Sequence, residues 1–433
     1  MNVTTMLTRR LLADDADGPG PLPRIGPEAL VALLREAGLT GRGGAGFPVW
    51  RKLAAVAETG RVPVVIGNGS EGEPASAKDR VLLTYRADLV LDGLQIVAGA
   101  LGARTAHLSL PAALAPRLEA RLRARRDPIA VTITVAPDRF VAGEASAVAN
   151  AVAGRTVAGR SGAGGSGAGR AGVDQAGVDQ AGVDQAGVDQ AGAGRAGAGR
   201  VALPSDKAVR LSRSGVGGAP TLVQNVETLA HVALIARRGA AWFREAGTAE
   251  EPGTFLATVG GAVARPGVLE AGYGVTLAEL IDGAGGATAP IQAVLMGGYH
   301  GAWIPALPDL PVSRAGLAGY AASPGAGVVH VLPADACGLA ETARIAGYLA
   351  GQVAGQCGPC VNGLPRLADT LTQLTNGLPR AAEVARLAAL VDGRGACHHP
   401  DGTVRLIRSS LALFAADVDA HLTGRCLANG APR

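Results

Sequence analysis

The chain has 433 residues, 48% hydrophobic and 18% charged, so it carries apolar material for more than one domain and is not disordered throughout. Its 40 basic and 36 acidic residues leave a net charge of +4, too balanced for a nucleic-acid groove or a polybasic membrane surface. Aromatic residues supply only 3% while glycine occupies 64 positions, so the core rests on Ala, Val and Leu with many turns between elements. The best candidate for a membrane span, residues 90–103, is short and contains Asp92 and Gln95, so direct membrane insertion is not expected. Arg9-Arg10 is followed by Leu-Leu-Ala-Asp-Asp rather than an apolar stretch, and five cysteines without an export signal point to a cytoplasmic protein with reduced thiols.

Residues 1–26, polar and rich in Pro and Gly, are expected to form a loose arm. Pro27 opens a segment of helical apolar spacing that ends at Gly38. A glycine-rich loop follows at 41–48, then a short helix around 50–58. Val62–Ile66 reads as a buried strand feeding the polar loop NGSEGEPASAKDR. Helices over 88–102 and 112–125 then alternate with strands His107–Leu110 and Ile129–Val135. This alternation predicts an α/β domain with a largely parallel sheet over 27–153.

Residues 154–210 differ, with AGVDQ repeated four times from Ala171 to Gln190. A five-residue period fits neither helix nor strand, and residues 154–200 hold no large side chain to pack, so a low-complexity linker is expected over 154–210. Residues 211–250 return to the first domain. The stretch TFLATVGGAVARPGVLEAGYGVTLAELI reads as strand, turn, strand and a helix capped by Thr276, a small β-grasp-like unit over 251–310. A helical domain is expected over 330–425, interrupted at 354–363 and 393–403 and holding four of the five cysteines.

Gly41-Arg42-Gly43-Gly44-Ala45-Gly46 matches G-x-G-x-x-G, yet a helix precedes it where a dinucleotide fold needs a strand. What survives is a loop whose backbone N–H groups can face a phosphate, with Arg42 and Lys52 adding charge; the bland alternative is a tight turn. In residues 68–80, Glu71, Glu73 and Asp79 surround Lys78 and Arg80 just after a buried strand. Carboxylates there can accept from ribityl or ribose hydroxyls, and the alternative is a solvated charged loop. Cys337, in an apolar context, reads as a small core residue, and His107, His231, His300, His330 and His421 as scattered structural histidines.

Taken in order, GLTGRGGAGFP, NGSEGEPASAKDR, FVAGEASA, QNVETLA, the β-grasp stretch and AGQCGPC resemble the NADH-binding flavoprotein subunit of respiratory complex I. Related subunits occur in NAD-linked hydrogenases and formate dehydrogenases. The resemblance implies an FMN-binding α/β sandwich domain, a ubiquitin-like β-grasp (SLBB) domain and a C-terminal helical bundle carrying an iron–sulfur cluster. Matched motif by motif, it places FMN contacts at Gly41, Arg42, Gly43, Gly44, Lys52, Asn68, Glu71, Gly143, Glu144, Gln224 and Asn225. It makes Glu73 the catalytic residue beside the nicotinamide. Ser70 stands where the family has Asp, and Gln224 where it has Asn.

Other departures bear on NAD. Ala55 replaces an aromatic residue, Phe140 a tyrosine and Ala145 a glutamate, and each lost stacking ring forfeits about 0.5–1.5 kcal/mol. The family's C-x-x-C-x-x-C with a distant fourth Cys reads Ala354, Cys357, Cys360 and Cys397. One usual ligand is missing, so the cluster is expected as 4Fe-4S with His398 or His399 at the open corner, or as 3Fe-4S. A zinc ion or a redox dithiol are the alternatives for these thiols. The implied activity is an oxidoreductase that passes electrons from NADH through FMN to the cluster. The implied partner is a ferredoxin-like or other electron-transfer protein, or the other subunits of an oxidoreductase complex. The alternative is an electron-transfer or assembly module that kept the fold and the FMN site without using NADH.

Overall fold

Helix α1 (Pro27–Ala37) starts on a proline whose fixed φ suits a first turn. It ends at Gly38, whose φ of 72° lets its N–H turn back to the Arg35 carbonyl. Leu30, Leu34 and Ala37, one face of that helix, and Val49, Leu53 and Val56 of α2 (Val49–Ala57) are buried in one core. We describe the chain from a computed structural model over residues 7–13, 21–137, 139–154 and 211–428; the AGVDQ repeat and most of the expected linker lie outside these residues.

Four strands, β1 (Val64–Asn68), β2 (Thr105–Pro111), β3 (Ala130–Ala136) and β4 (Thr221–Asn225), form a parallel sheet in the order β3-β2-β1-β4. The helices joined to it are α3 (Lys78–Tyr85), α4 (Ala87–Ala100), α5 (Ala115–Ala124), α6 (Ala145–Val152) and α7 (Val226–Arg244). Helices α4 and α7 cross so closely that a Cβ on Gly93 would lie 1.9 Å from the Leu229 carbonyl oxygen, so only glycine fits there. On the other face, Val148 of α6 packs with Ile66 and Val223.

The second sheet contains β5 (Thr254–Gly261), β6 (Gly267–Gly272), β7 (Ile291–Met296), β8 (Ala302–Ile304) and β9 (Val328–Pro333) in the order β6-β5-β9-β7-β8. Between these strands lie α8 (Leu277–Gly283) and the short α9 (Arg314–Leu317). Thr276 and Glu279 make a reciprocal capping box at the start of α8. Strand β9 sits between β5 and β7, so this sheet closes at Pro333 rather than at the expected boundary of 310.

The C-terminal helices are α10 (Gly338–Gly351), α11 (Leu364–Thr375), α12 (Ala381–Val391), α13 (His399–Leu413) and α14 (Ala415–Leu422). Helix α13 begins inside the expected break because Pro400 suits its first turn and Asp401 complements the positive helix end. Among the described residues no helix is long and apolar enough to cross a membrane.

Part of the arm expected to be loose is held in place. The backbone N–H groups of Arg10, Leu11 and Leu12 donate to the Glu270 carboxylate at 2.7, 2.8 and 3.0 Å. Thr254 donates to its other oxygen at 2.7 Å, and Leu11 is fully buried. A buried carboxylate requires donors, and the arm supplies them from 258–260 positions away in sequence. Replacing Glu270 with Ala is expected to destabilise the protein by about 1.5–3 kcal/mol and to open residues 7–13 to protease, read by urea unfolding and limited proteolysis.

Candidate functional site

Strands β1 and β4 run side by side and stop together, with Asn68 paired to Asn225 and Gly67 to Gln224. The carboxyl ends of parallel strands are where the following loops can enclose a ligand. The Asn68 side chain donates to the Gly143 carbonyl at 2.9 Å and accepts from Ser70 N–H at 3.1 Å. A Cβ on Gly143 would meet the Ser70 carbonyl at 2.9 Å, so the segments around Ser70 and Gly143 touch backbone to backbone at this edge. Glu144, next in the chain, precedes α6 as its N-cap residue.

The glycine loop lies over the end of β4, with an ideal Cβ on Gly43 3.5 Å from that of Asn225. Gly41 N–H closes the loop on the Phe47 carbonyl at 2.9 Å, and Gly44 has a φ of 101°. Arg42 lends this loop its backbone only. Its guanidinium donates to the carbonyls of Thr254 and Thr40, both at 3.2 Å, and lies 4.7 Å from the Tyr273 ring centroid. It thus ties the first domain to the second instead of facing the strand ends.

Behind the strand ends sits a buried ionic group. Lys78 Nζ lies 2.6 Å from Asp79, 3.1 Å from Glu227 and 3.1 Å from the Asn225 side-chain oxygen. Burial alone would lower the Lys78 pKa, but Asp79, Glu227 and Glu71 raise it above its ordinary value. Glu71 accepts from the N–H groups of Asp79 and Arg80 and from the Ser76 hydroxyl, so it caps the start of α3. Burial and the nearby Asp79 raise its pKa.

Glu73 is held by two backbone donors, Ala75 at 3.1 Å and Tyr299 at 2.7 Å. Burial pushes its carboxyl up to about 7, although both N–H donors favour the charged form. A Cβ on Gly298, with φ of 96°, would stand 2.5 Å from its Oε2. The second domain therefore closes over Glu73 with a glycine backbone.

Besides the buried Arg42 Nη2, two groups near this edge lack a counterpart among the described residues. Lys52 is partly buried beside the Phe47 ring, its pKa lowered by burial, and among the described residues no carboxylate pairs with it. Gln224 is buried, and its Nε2 has no hydrogen-bond partner among the described residues. An unmatched ammonium and an unmatched amide donor suit an anionic, acceptor-rich ligand. FMN, with its phosphate and ring carbonyls, fits that donor set, with Lys52, Gln224, Asn68 and the loop from Gly41 to Gly44 as the residues to hold it.

The thiols lie beyond this edge. Burial, then the neighbouring Cys357 and Cys397, push the Cys360 thiol up to about 12. Ionised together, three neighbouring thiols would repel one another without a cationic centre, so the donor types fit a metal cluster. His398 is mostly exposed and faces Asp401 at 3.4 Å. His399 is fully buried, its ring nitrogens 2.9 Å from the Leu349 carbonyl and 3.1 Å from His300. The structure thus gathers Cys357, Cys360 and Cys397, while both histidines are engaged elsewhere and Ala354 offers no donor. Between the two regions Phe140 packs edge-on against His300, with ring centroids 4.5 Å apart. Its N–H donates to Gln352 at 3.0 Å.

Glu227 and Tyr299 are functional neighbours that sequence reading missed. The Glu227 signal was present in QNVETLA as a carboxylate one residue past the helix start; Tyr299 acts through its backbone and leaves no side-chain signal.

An α/β domain with an anion-ready strand edge, a β-grasp domain closing over it and a helical bundle with clustered thiols together define a flavin and iron–sulfur electron-transfer protein. Residues 34–168 match the family model of the Nuo51 FMN-binding domain, and residues 340–421 match the NADH-ubiquinone oxidoreductase-F iron-sulfur binding region. In both regions the chain resembles the F-type flavoprotein subunits of NADH-quinone oxidoreductases. It is 28% identical to the F-type NADH-quinone oxidoreductase subunit of Streptomyces coelicolor, over 92% of this chain and 84% of that one. With the F 2 subunit of the same enzyme in Rhizobium meliloti it shares 29% identity, over 92% and 90% of the two chains. A chain of an NAD+-reducing [NiFe]-hydrogenase in the H2-reduced state superposes with a TM-score of 0.74 at 28% identity. That match covers 92% of this chain and 63% of the hydrogenase chain.

Two outcomes test the site's electrostatics. Lys78→Met strands two buried carboxylates and is expected to cost about 3–5 kcal/mol in denaturant unfolding. For Glu73, the folded protein holds a proton between the ordinary value of 4.5 and about 7 that the unfolded chain releases. The carboxyl therefore removes stability as pH rises through that window. In flavin-free protein, Glu73→Gln is expected to flatten this decline in melting temperature against pH.

Proposed function

We propose that this protein is an NADH dehydrogenase-like flavoprotein that takes electrons from NADH at FMN and passes them to an iron–sulfur cluster. A bound flavin supplies the change from two-electron to one-electron transfer; the chain supplies placement, charge and exclusion of water. The observation that carries the reading is the partly buried Lys52, without a counter-charge among the described residues, beside a glycine loop at the end of a parallel sheet. In this reading Lys52 and the N–H groups of Gly43 and Gly44 hold the phosphate, since those of Gly41 and Arg42 already donate to Phe47 and Thr228, while Asn68 and Gln224 face the flavin ring and its ribityl chain. Glu71 and Glu144 belong to the walls of the same pocket, and Asn225 positions Lys78. Glu73, which titrates near neutrality, stands where the nicotinamide ring approaches and holds or releases a proton there.

Cys357, Cys360 and Cys397 hold the cluster, and the position of Ala354 leaves one corner to an outside ligand or to a three-iron form. A rotation of the exposed His398 away from Asp401 would bring a fourth protein ligand into play. The named relatives are subunits of NADH-quinone oxidoreductases, which supports complex subunits as partners and disfavours a module without NADH. A ferredoxin-like acceptor and a cytoplasmic location complete the proposal.

The experiment is anaerobic purification followed by flavin analysis and an NADH titration. We expect about one FMN per chain, bleached by NADH. Lys52→Ala is expected to weaken FMN retention by about 1.5–3 kcal/mol, roughly tenfold to 150-fold in Kd, with the flavin-free fold intact by circular dichroism. Wild-type protein that retains no flavin after FMN is supplied refutes the cofactor assignment; retained flavin that NADH leaves oxidised supports the electron-transfer module instead.

A further inference from the structure

Cys337, His421 and Cys426 are far apart in sequence, yet one ligand atom from each lies within 4.8 Å of the others. His421 and Cys426 are almost fully buried, and Cys337 is partly exposed. Local structure explains the convergence. Helix α14 ends in the turn that bears His421, and Gly424, with φ of 71°, reverses the chain there. Gly424 N–H donates to the His421 carbonyl at 3.1 Å, and Leu427 N–H reaches back to Asp417 at 3.1 Å. This reversal sets Cys426 beside the imidazole. Cys337 arrives from the other side as the N-cap of α10, its Sγ accepting from Ala340 N–H at 3.4 Å. A donor at a helix N-terminus favours the thiolate over the thiol.

We propose that Cys337, His421 and Cys426 form a second metal site, a mononuclear thiolate–imidazole centre that takes zinc. The spacing is that of a ligand set around one ion: zinc–sulfur and zinc–nitrogen bonds of about 2.3 and 2.0–2.1 Å at tetrahedral angles place sulfur and nitrogen roughly 3.5–3.6 Å apart. Cys337 Sγ and His421 Nε2 stand 3.6 Å apart. Two thiolates and a neutral imidazole cancel the charge of a divalent ion, so the complex is neutral and tolerates burial. Soft sulfur with imidazole favours zinc over calcium, magnesium or manganese. The fourth position opens on the partly exposed Cys337 side, where water completes the tetrahedron.

This site is separate from the cluster thiols. It sits at the start of α10, whereas His399, two residues from Cys397, bonds the Leu349 carbonyl near the other end of that helix. A 14-residue helix is about 20 Å long. Helix α11 agrees, since a Cβ on Gly377 just past its end would meet the His421 carbonyl at 2.8 Å, while its start adjoins Cys360. An ion here would clamp the chain end to the first turn of the bundle.

The test uses the full-length, flavin-loaded protein, purified anaerobically and analysed for zinc, iron and sulfide. We expect about one zinc per chain in addition to the cluster iron. Cys426→Ser and, separately, His421→Gln are each expected to remove the zinc while leaving iron, sulfide and flavin unchanged. Cys357→Ser is expected to remove iron and keep zinc. As a readout independent of the variants' folding, cobalt(II) added to chelator-treated wild-type protein is expected to give a thiolate-to-cobalt charge-transfer band that prior alkylation abolishes. The proposal is overturned if wild-type protein binds neither zinc nor cobalt beyond the cluster metal, or if both variants keep their zinc. A disulfide joining Cys337 to Cys426 in anaerobically alkylated digests overturns it as well. Loss of iron from Cys426→Ser with flavin retained overturns it too, by assigning that thiol to the cluster.

Discussion

One buried ammonium organises the site end of this molecule. Lys78 stands between Asp79 and Glu227, with the Asn225 side chain as a third partner, and an uncompensated charge in such a place would cost several kcal/mol. The compensation is spread over elements distant in sequence. Asp79 belongs to α3, Asn225 ends β4 and caps α7 by accepting from Glu227 N–H at 3.0 Å, and Glu227 lies in the first turn of α7. Glu227 also accepts from Leu256 N–H of β5 at 2.9 Å. The charge that orders the strand edge therefore bolts the first domain to the second.

That bolt sets where the domains meet. Arg42 spans the same seam with bonds to Thr254 and a ring contact to Tyr273, and Thr228 of α7 accepts from its backbone N–H at 2.9 Å. With the seam closed, the backbone of Gly298 and Tyr299 comes down on Glu73 and shields part of it from water. The next residue, His300, packs against Phe140 and His399, which continues the contact into the helical bundle beside Cys397. The strand edge and the helical bundle are thus joined through packed rings.

Much of the fold was legible in the chain. Alternating strand and helix signals marked the parallel sheet, and Thr276 with Glu279 marked the start of α8, because capping and periodicity are local effects. The errors share one cause. The arm looked loose because Arg10, Leu11 and Leu12 carry no periodic signal; their fixed place depends on Glu270 across the molecule. The second sheet ran past its expected end because β9 inserts between strands made much earlier. For the site, the glycine loop, Lys52, Asn68 and the CxxC pair could be named from sequence. The diversion of the Arg42 side chain into a seam could not, since it depends on which domain lies opposite.

By itself, then, the sequence determined the family resemblance, the elements near the site and the presence of a phosphate-ready loop and a cysteine pair, because these rest on residue type and short spacing. Tertiary structure alone decided which charges were paired, that among the described residues Lys52 has no counter-charge and Gln224 Nε2 no acceptor, and that Glu73 would titrate near neutrality. It also decided that Cys337, His421 and Cys426, read singly as core and structural residues, would stand together. The physical reason is that burial and Coulomb energy depend on distances through space, and segments as far apart in the chain as residues 78 and 227 become neighbours only when the fold closes.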